Sequence, residues 1–179
     1  MTVLIIYATI EGQTGKVARF VETQVEKAGH ETRLLDATDK MADVSFEGVD
    51  KVILAAPVHE RRHPKTFEML ITAAHKDLEA RDTLLLSVSL SAAFPEGHAE
   101  AQDYVDEMIL RTGVKPDSVA LIAGAVRNHR YDYYASQVLR HVVLRDREFD
   151  PSAESHDFTD WAALKATVAA FIEAPVGAK

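Results

Sequence analysis

The sequence predicts a single α/β domain built on a five-stranded parallel sheet with helices on both faces. Apolar runs of strand length alternate with segments whose apolar residues recur at helical spacing. Strands that are joined through helices require right-handed crossovers, so the sheet is parallel. The 179 residues suffice for one core, and no apolar run approaches the roughly 20 residues of a membrane-spanning helix. We therefore expect one domain over residues 1–179, located in the cytoplasm.

The elements follow in order along the chain. Strands are predicted at residues 3–8, 33–35, 52–56, 83–90 and 119–123. The first is a continuous apolar run with β-branched members, as expected for a strand that is buried on both faces. The predicted helices are marked by apolar residues over 17–25, 67–78 and 98–112, with a last helix whose buried stripe is Leu164, Val168, Phe171 and Ile172. Thr159 is expected to cap this last helix. Residues 127–157 do not fit the alternation and are interpreted as an insertion that contains a short helix near 135–146.

Cysteine content and net charge exclude several kinds of function for this chain. The absence of cysteine excludes thiolate nucleophiles, disulfides and Cys-held metal clusters, so redox chemistry would need a bound cofactor. The net charge of −8 argues against a nucleic-acid partner.

The loop after the first strand has the composition of an anion site. Glycine permits close backbone approach, hydroxyls stand at both ends, and the following helix adds its positive end. The loop consists of Thr9, Ile10, Glu11, Gly12, Gln13 and Thr14. The alternative from composition is a plain hydrophilic turn, and the position after the first buried strand favours phosphate binding.

The loop after the third strand, residues 57–65, contains the pattern H-E-x-x-H at His59, Glu60 and His63. A zinc hydrolase would need both histidines on one helix, and Pro64 disfavours helical geometry at His63. A second interpretation is a basic rim at the edge of the sheet, formed by Arg61, Arg62, His63 and Lys65. A third is an ordinary solvated charge cluster.

Two further loops carry weaker signals. Phe94, after the fourth strand, is suited to covering a flat ligand, although a single aromatic residue is more often local packing. Arg127, Arg130 and Tyr131 can form an aromatic and basic wall, or a docking surface for the inserted helix.

Taken together, these motifs resemble the flavodoxin family, and more closely its menaquinone-dependent protoporphyrinogen oxidases. The resemblance runs nearly end to end and rests on Tyr7–Thr14, Pro57–His59 with His63 and Phe67, Ser87–Leu90 with Pro95 and Glu96, Ile122–Arg127 with Arg130 and Tyr131, and Thr159–Trp161. It departs at Arg61, where the family tends to have glycine.

The resemblance implies a flavodoxin-like fold and FMN as cofactor. The FMN phosphate would be held by Thr9–Thr14. The isoalloxazine ring would be flanked by Ala56, Pro57, Val58, His59, Ser89, Leu90, Ser91 and Phe94. Protoporphyrinogen IX would be the substrate and a quinone the electron acceptor. The propionates of the porphyrinogen would be attracted by Arg61 and Arg62. The full set of candidate substrate-binding residues is Arg61, Arg62, His63, Arg127, Arg130 and Tyr131. Because the flavin carries the chemistry, no catalytic side chain is predicted.

Other functions stay open at this point. They are a flavodoxin-type electron carrier, an NAD(P)H:quinone reductase, the zinc hydrolase and a cofactor-free binding module. The apolar residues Val138, Leu139, Val142, Val143 and Leu144 suit either packing or peripheral contact with the inner face of the cell membrane. A homodimer is also compatible with the sequence.

Overall fold

A computed structural model describes residues 1–39, 43–127 and 155–177. It contains one five-stranded parallel sheet, in the order β2-β1-β3-β4-β5, as the sequence predicts. The strands are β1 (Thr2–Tyr7), β2 (Glu31–Asp36), β3 (Lys51–Pro57), β4 (Asp82–Ser89) and β5 (Ser118–Ala123). β1, β3 and β4 are nearly continuous apolar runs because both of their faces are covered.

Helices cover both faces of the sheet. They are α1 (Gln13–Lys27), α2 (Lys65–Ala73), α3 (His75–Glu79), α4 (His98–Thr112) and α5 (Trp161–Glu173). One core joins α1 and α5 to the sheet through residues such as Val21 and Val168, and the other joins α2 and α4 through residues such as Ile71 and Met108.

Two sequence expectations need correction. The helix expected over 67–78 is two helices, because the backbone of Ala74 (φ −88°, ψ 10°) ends α2 before α3 begins. The expected cap Thr159 is not the cap of α5. Asp160 caps it, its carboxylate accepting a hydrogen bond from the Ala163 N–H at 2.9 Å. Thr159 instead donates its hydroxyl to the Ala123 carbonyl.

A short antiparallel ribbon follows β5. It pairs β6 (Ala125–Arg127) with β7 (Ser155–Asp157), and no pattern in the sequence indicates it. The ribbon brackets most of the predicted insertion. The short helix expected near 135–146 lies outside the described residues.

A buried lysine joins the sheet to the last helix. Lys51 is 0% exposed at the start of β3, and its ammonium donates to the carbonyls of Phe171 and Ala174 at 2.7 and 2.6 Å. These carbonyls lie at the negative end of α5, so the buried charge is compensated. None of the helices in the described ranges is long and apolar enough to cross a membrane.

Candidate functional site

A groove lies beyond the carboxyl ends of β1, β3 and β4. The strand order reverses between β1 and β3, and such a switch point is where open α/β sheets bind ligands. Among the predicted site residues, those that line the groove are Thr9, Ile10, Glu11, Gln13, Thr14, Pro57, Val58, His59, Arg61, Ser89, Leu90 and Ser91. Residues from three separate loops are therefore brought together at one site.

The loop between β1 and α1 forms the first wall of the groove. Gly12 has a left-handed backbone (φ 96°), and its N–H donates to the Thr9 hydroxyl oxygen at 2.9 Å. Gly12 is the N-cap residue of α1 and supplies no capping side chain. The first backbone N–H groups of α1 have no partner within the helix and are available to a ligand, beside the hydroxyls of Thr9 and Thr14. This wall of the groove suits an anion.

The loop from Thr9 to Thr14, here termed the anion loop, is hydrogen-bonded to the segment before α5. The Gln13 side-chain amide donates to Asp157 and to the Thr159 hydroxyl oxygen, both at 2.9 Å. Partial burial acts to raise the pKa of Asp157, but the hydrogen bonds from Thr159 and Gln13 outweigh it and lower this pKa below its usual range. Asp157 therefore stays ionised and holds Gln13 in place. The sequence offered no signal for Asp157, since its partner lies 144 residues away.

A tight turn forms a second wall of the groove. His59 and Arg62 exchange two backbone hydrogen bonds, of 2.9 and 3.1 Å, around Glu60 and Arg61. Glu60 and Arg61 both have left-handed backbones, with φ of 50° and 65°. This conformation favours glycine, and Arg61 adopts it although it carries a side chain. A left-handed turn also keeps H-E-x-x-H off a helix, so the zinc-hydrolase geometry is not formed.

The residues after this turn point away from the groove. His63 is 1% exposed, and its Nε2 lies 3.0 Å from the Ser87 hydroxyl inside the core between α2 and β4. Burial lowers the pKa of His63 to about 4, and the attraction of Glu68 offsets this only in part. His63 is therefore neutral at pH 7. Within the described ranges no group of three His, Asp or Glu side chains can hold a metal ion.

Arg62 is likewise directed elsewhere. Its guanidinium donates to Glu68 at 2.6 Å, and Arg111 of α4 donates to the same carboxylate at 2.8 Å. Burial acts to raise the pKa of Glu68, but the hydrogen bonds and charges of the two arginines outweigh it and lower the value. The basic rim that the sequence suggested is thus reduced by ion pairing, and Arg62 belongs to a link between α2 and α4.

Arg61 does reach the groove, together with residues of α4. Its guanidinium pairs with Glu100 at 2.8 Å and lies over the ring of Tyr104, 5.5 Å from its centre. The Ser91 hydroxyl donates to the other oxygen of Glu100 at 3.0 Å. Tyr104 is 5% exposed, lines the groove and was not predicted as a site residue. Its hydroxyl hydrogen-bonds to Ser91 and Glu100.

The third wall is the loop after β4. The Ser89 hydroxyl oxygen accepts a hydrogen bond from the Ala92 N–H at 3.2 Å, which folds the chain back so that Ser91 faces the groove. Phe94 is 6% exposed and packs against Phe158 and Val126. It therefore does not line the groove.

The other predicted residues fall in different places. Ala56 is a buried residue of β3 behind the wall, and Gly12 contributes backbone to the anion loop without lining the groove. Arg127 is the last residue of β6. Arg130 and Tyr131 lie outside the described residues.

Comparison with known proteins agrees with this geometry. Relatives named "Protoporphyrinogen IX dehydrogenase [quinone]" occur in Escherichia coli (strain K12), at 22% identity with 90% of this chain and 89% of the relative covered, and in Leishmania major, at 23% with 97% and 75% covered. Oxidised Flavodoxin 1 from Bacillus cereus has the same fold, with a TM-score of 0.56 at 15% identity over 98% of this chain and 99% of that one. Flavodoxin 2 from the same organism gives a TM-score of 0.52 at 18% identity, over 97% and 99%.

A single family matches most of the sequence. The Flavodoxin domain matches residues 4–151. This range contains β2, β3, β4 and β5 in full and β1 from Leu4 onward, together with the three loops that form the walls of the groove. The chain therefore belongs to the flavodoxin domain family.

Proposed function

We propose that this chain is an FMN-dependent dehydrogenase that oxidises protoporphyrinogen IX and delivers the electrons to a quinone. The relatives from E. coli and L. major are named for this activity, and the similarity extends over 90% and 97% of the chain. The cofactor assignment rests on one observation: the N-terminus of α1 has no side-chain cap and opens, beside Thr9 and Thr14, into the groove at the switch point.

The residues present fit FMN. Its phosphate would lie against the backbone N–H groups of the first turn of α1 and the hydroxyls of Thr9 and Thr14. Its ring would lie between the wall from Pro57 to Arg61 and the wall from Ser89 to Ser91. When bound, FMN would supply the redox chemistry two electrons at a time, so that the six electrons removed from protoporphyrinogen IX reach three quinone molecules.

The chain's own residues hold and shield the reactants. Ser89, through its bond to the Ala92 N–H, shapes one wall, and Arg62 and His63 anchor the end of the turn that forms the other. Anchors in the core and in ion pairs keep both walls in fixed positions, which is what orientation of a substrate requires. Arg61 is a groove-lining cation that belongs to the turn between His59 and Arg62.

The test is an anaerobic assay of the FMN-loaded protein with protoporphyrinogen IX. Formation of the fluorescent porphyrin removes six electrons and so consumes three quinones. We expect fluorescence to develop when menaquinone or a short-chain quinone is added in excess, and not in its absence beyond one porphyrin for every three bound flavins. Reduction of the bound flavin by NAD(P)H, with no oxidation of the porphyrinogen, would contradict the proposal and favour a quinone reductase.

Replacing Arg61 with alanine is expected to lower the flavin midpoint potential. A cation beside the ring favours the anionic reduced form, so its loss favours the oxidised form. Glu100 already compensates the charge, so we expect a fall of about 10–20 mV, equivalent to an exposed pair worth roughly 0.5–1 kcal/mol. Spectroelectrochemical titration measures it. Lys65→Ala is the matched control and should shift the potential less, because Lys65 is an exposed cation that does not line the groove.

Contact with a membrane and formation of a homodimer are further parts of the proposal. A quinone acceptor is dissolved in the bilayer, and the apolar residues Val138–Leu144 that suggested peripheral contact lie outside the described residues. Flotation with anionic vesicles tests this contact, and a protein that never floats with them contradicts it. Light scattering of the FMN-loaded protein gives the oligomeric state.

A further inference from the structure

Glu100 is paired with Arg61, which is the only arginine that lines the groove within the described part of the chain. Arg61 and Glu100 form an ion pair of 2.8 Å whose side chains are 64% and 43% exposed. Exposed ion pairs of this kind are weak, because water and salt screen them. The Arg61 guanidinium can therefore leave Glu100 at little cost.

The two partners are not equally dependent on the pair. Glu100 also accepts a hydrogen bond from Ser91, hydrogen-bonds to Tyr104, and lies in the first turn of α4, where a carboxylate is favoured by the helix dipole. For Arg61, Glu100 is the carboxylate partner that the described residues provide. Glu100 would thus remain satisfied if Arg61 turned to another carboxylate.

The position of Arg61 favours binding of a ligand carboxylate in place of Glu100. Its backbone is fixed by the turn between His59 and Arg62, and its guanidinium stacks over Tyr104 in the groove wall. A guanidinium held in this way binds carboxylates through two parallel hydrogen bonds. The loop from Thr9 to Thr14, which would hold the cofactor phosphate, lines the groove separately, between β1 and α1.

We propose that Arg61 receives a carboxylate of the substrate and that Glu100 is its internal competitor, so that Glu100 sets the affinity for carboxylate-bearing substrates. This inference rests on the proposed function, since it takes the substrate to be a porphyrinogen with two propionates. Binding exchanges one carboxylate partner of Arg61 for another and changes no covalent bond. A ligand without carboxylates does not take part in the exchange.

The experiment measures equilibrium binding of two oxidised porphyrins to the FMN-loaded protein by porphyrin fluorescence at low ionic strength. The probes are protoporphyrin IX and its dimethyl ester, in the same detergent buffer. For Glu100→Gln we expect the Kd of the free acid to fall about two- to tenfold, in line with the loss of a weak competing pair, while the Kd of the ester does not change. Glutamine retains the shape of Glu100 and its contact with the Ser91 hydroxyl.

Two further variants complete the test. Glu107→Gln is the matched control, because Glu107 is also on α4, also pairs with an arginine (Arg111, 3.4 Å) and does not line the groove. It should leave both Kd values unchanged. Arg61→Gln should weaken binding of the free acid alone, and in that background Glu100→Gln should no longer improve it.

The outcomes separate the two proposals. If neither porphyrin binds the wild-type protein, the proposed function fails and the inference fails with it. If both bind and Glu100→Gln changes the acid and the ester equally, or weakens the acid, only the inference is contradicted.

Discussion

Replacing Gly97 with alanine is expected to destabilise the protein by about 2–3 kcal/mol and to weaken FMN binding at least roughly tenfold. A Cβ at this position would overlap the carbonyl oxygen of Ser91 and lie 2.8 Å from its carbonyl carbon. The obstacle is backbone, so a rotamer change cannot relieve it, and the loop after β4 has to move. Because Ser91 lines the groove, the loss of stability and the loss of cofactor affinity should occur together.

Urea unfolding and FMN titration measure the two effects. The backbone of Gly97 is helical (φ −86°, ψ −10°), so alanine is strained there by contact alone. Gly15→Ala is the control for stability, since its Cβ would meet Thr9 at an ordinary 3.7 Å and alanine favours the helix. Equal stability of the two variants would show that the approach of Gly97 to Ser91 is not as close as described.

Lowering the pH should destabilise the protein through His63, at pH values above those at which the carboxylates of the protein become protonated. The pKa of this ring is about 4 in the folded protein, against 6.5 for a histidine exposed to water, because burial disfavours the charged form. Between these values the unfolded chain binds a proton that the folded chain does not, so stability falls as pH decreases. We expect a loss of about 1.5 kcal/mol between pH 6.5 and 5, from one group with this shift.

His63→Gln tests this expectation. Glutamine can still reach the Ser87 hydroxyl but does not titrate, so the variant should be less stable at pH 7.5 and show a flatter pH dependence from 6.5 to 5. Glu68, whose pKa is lowered, adds a further loss below its usual value of 4.5. An unchanged slope in His63→Gln would mean that the ring is not held neutral by burial.

The fold and the position of the loop from Thr9 to Thr14 were predictable because their signals are local. An uninterrupted apolar run predicts β1, and the glycine and hydroxyls that follow predict the loop that the structure places at the groove. The cap of α5 was misassigned by one residue. Thr159 and Asp160 are both good caps, and the choice depends on the Ala123 carbonyl, which draws the Thr159 hydroxyl away.

The charge distribution could not be predicted from sequence because tertiary contacts decide it. Arg61 and Arg62 are adjacent, yet one is compensated by Glu100 of α4 and the other by Glu68 of α2. Lys51 resembles a surface residue at the start of a strand and is buried only because the end of α5 provides two carbonyls, 120 and 123 residues away. Tyr104 joins the site in the same way, through the packing of α4 beside the groove.

We propose that the loop from Thr9 to Thr14 and the N-terminus of α1 hold the phosphate of FMN. Comparing FMN with riboflavin, which lacks the phosphate, tests it most directly. Flavin fluorescence titration of the apoprotein should show FMN binding at least about tenfold more tightly, and Thr14→Val should reduce the affinity for FMN about 10- to 100-fold while leaving riboflavin unchanged, as expected for a lost hydrogen bond to a charged group. Equal affinity for the two flavins, or no binding of either by the folded protein, would contradict the account.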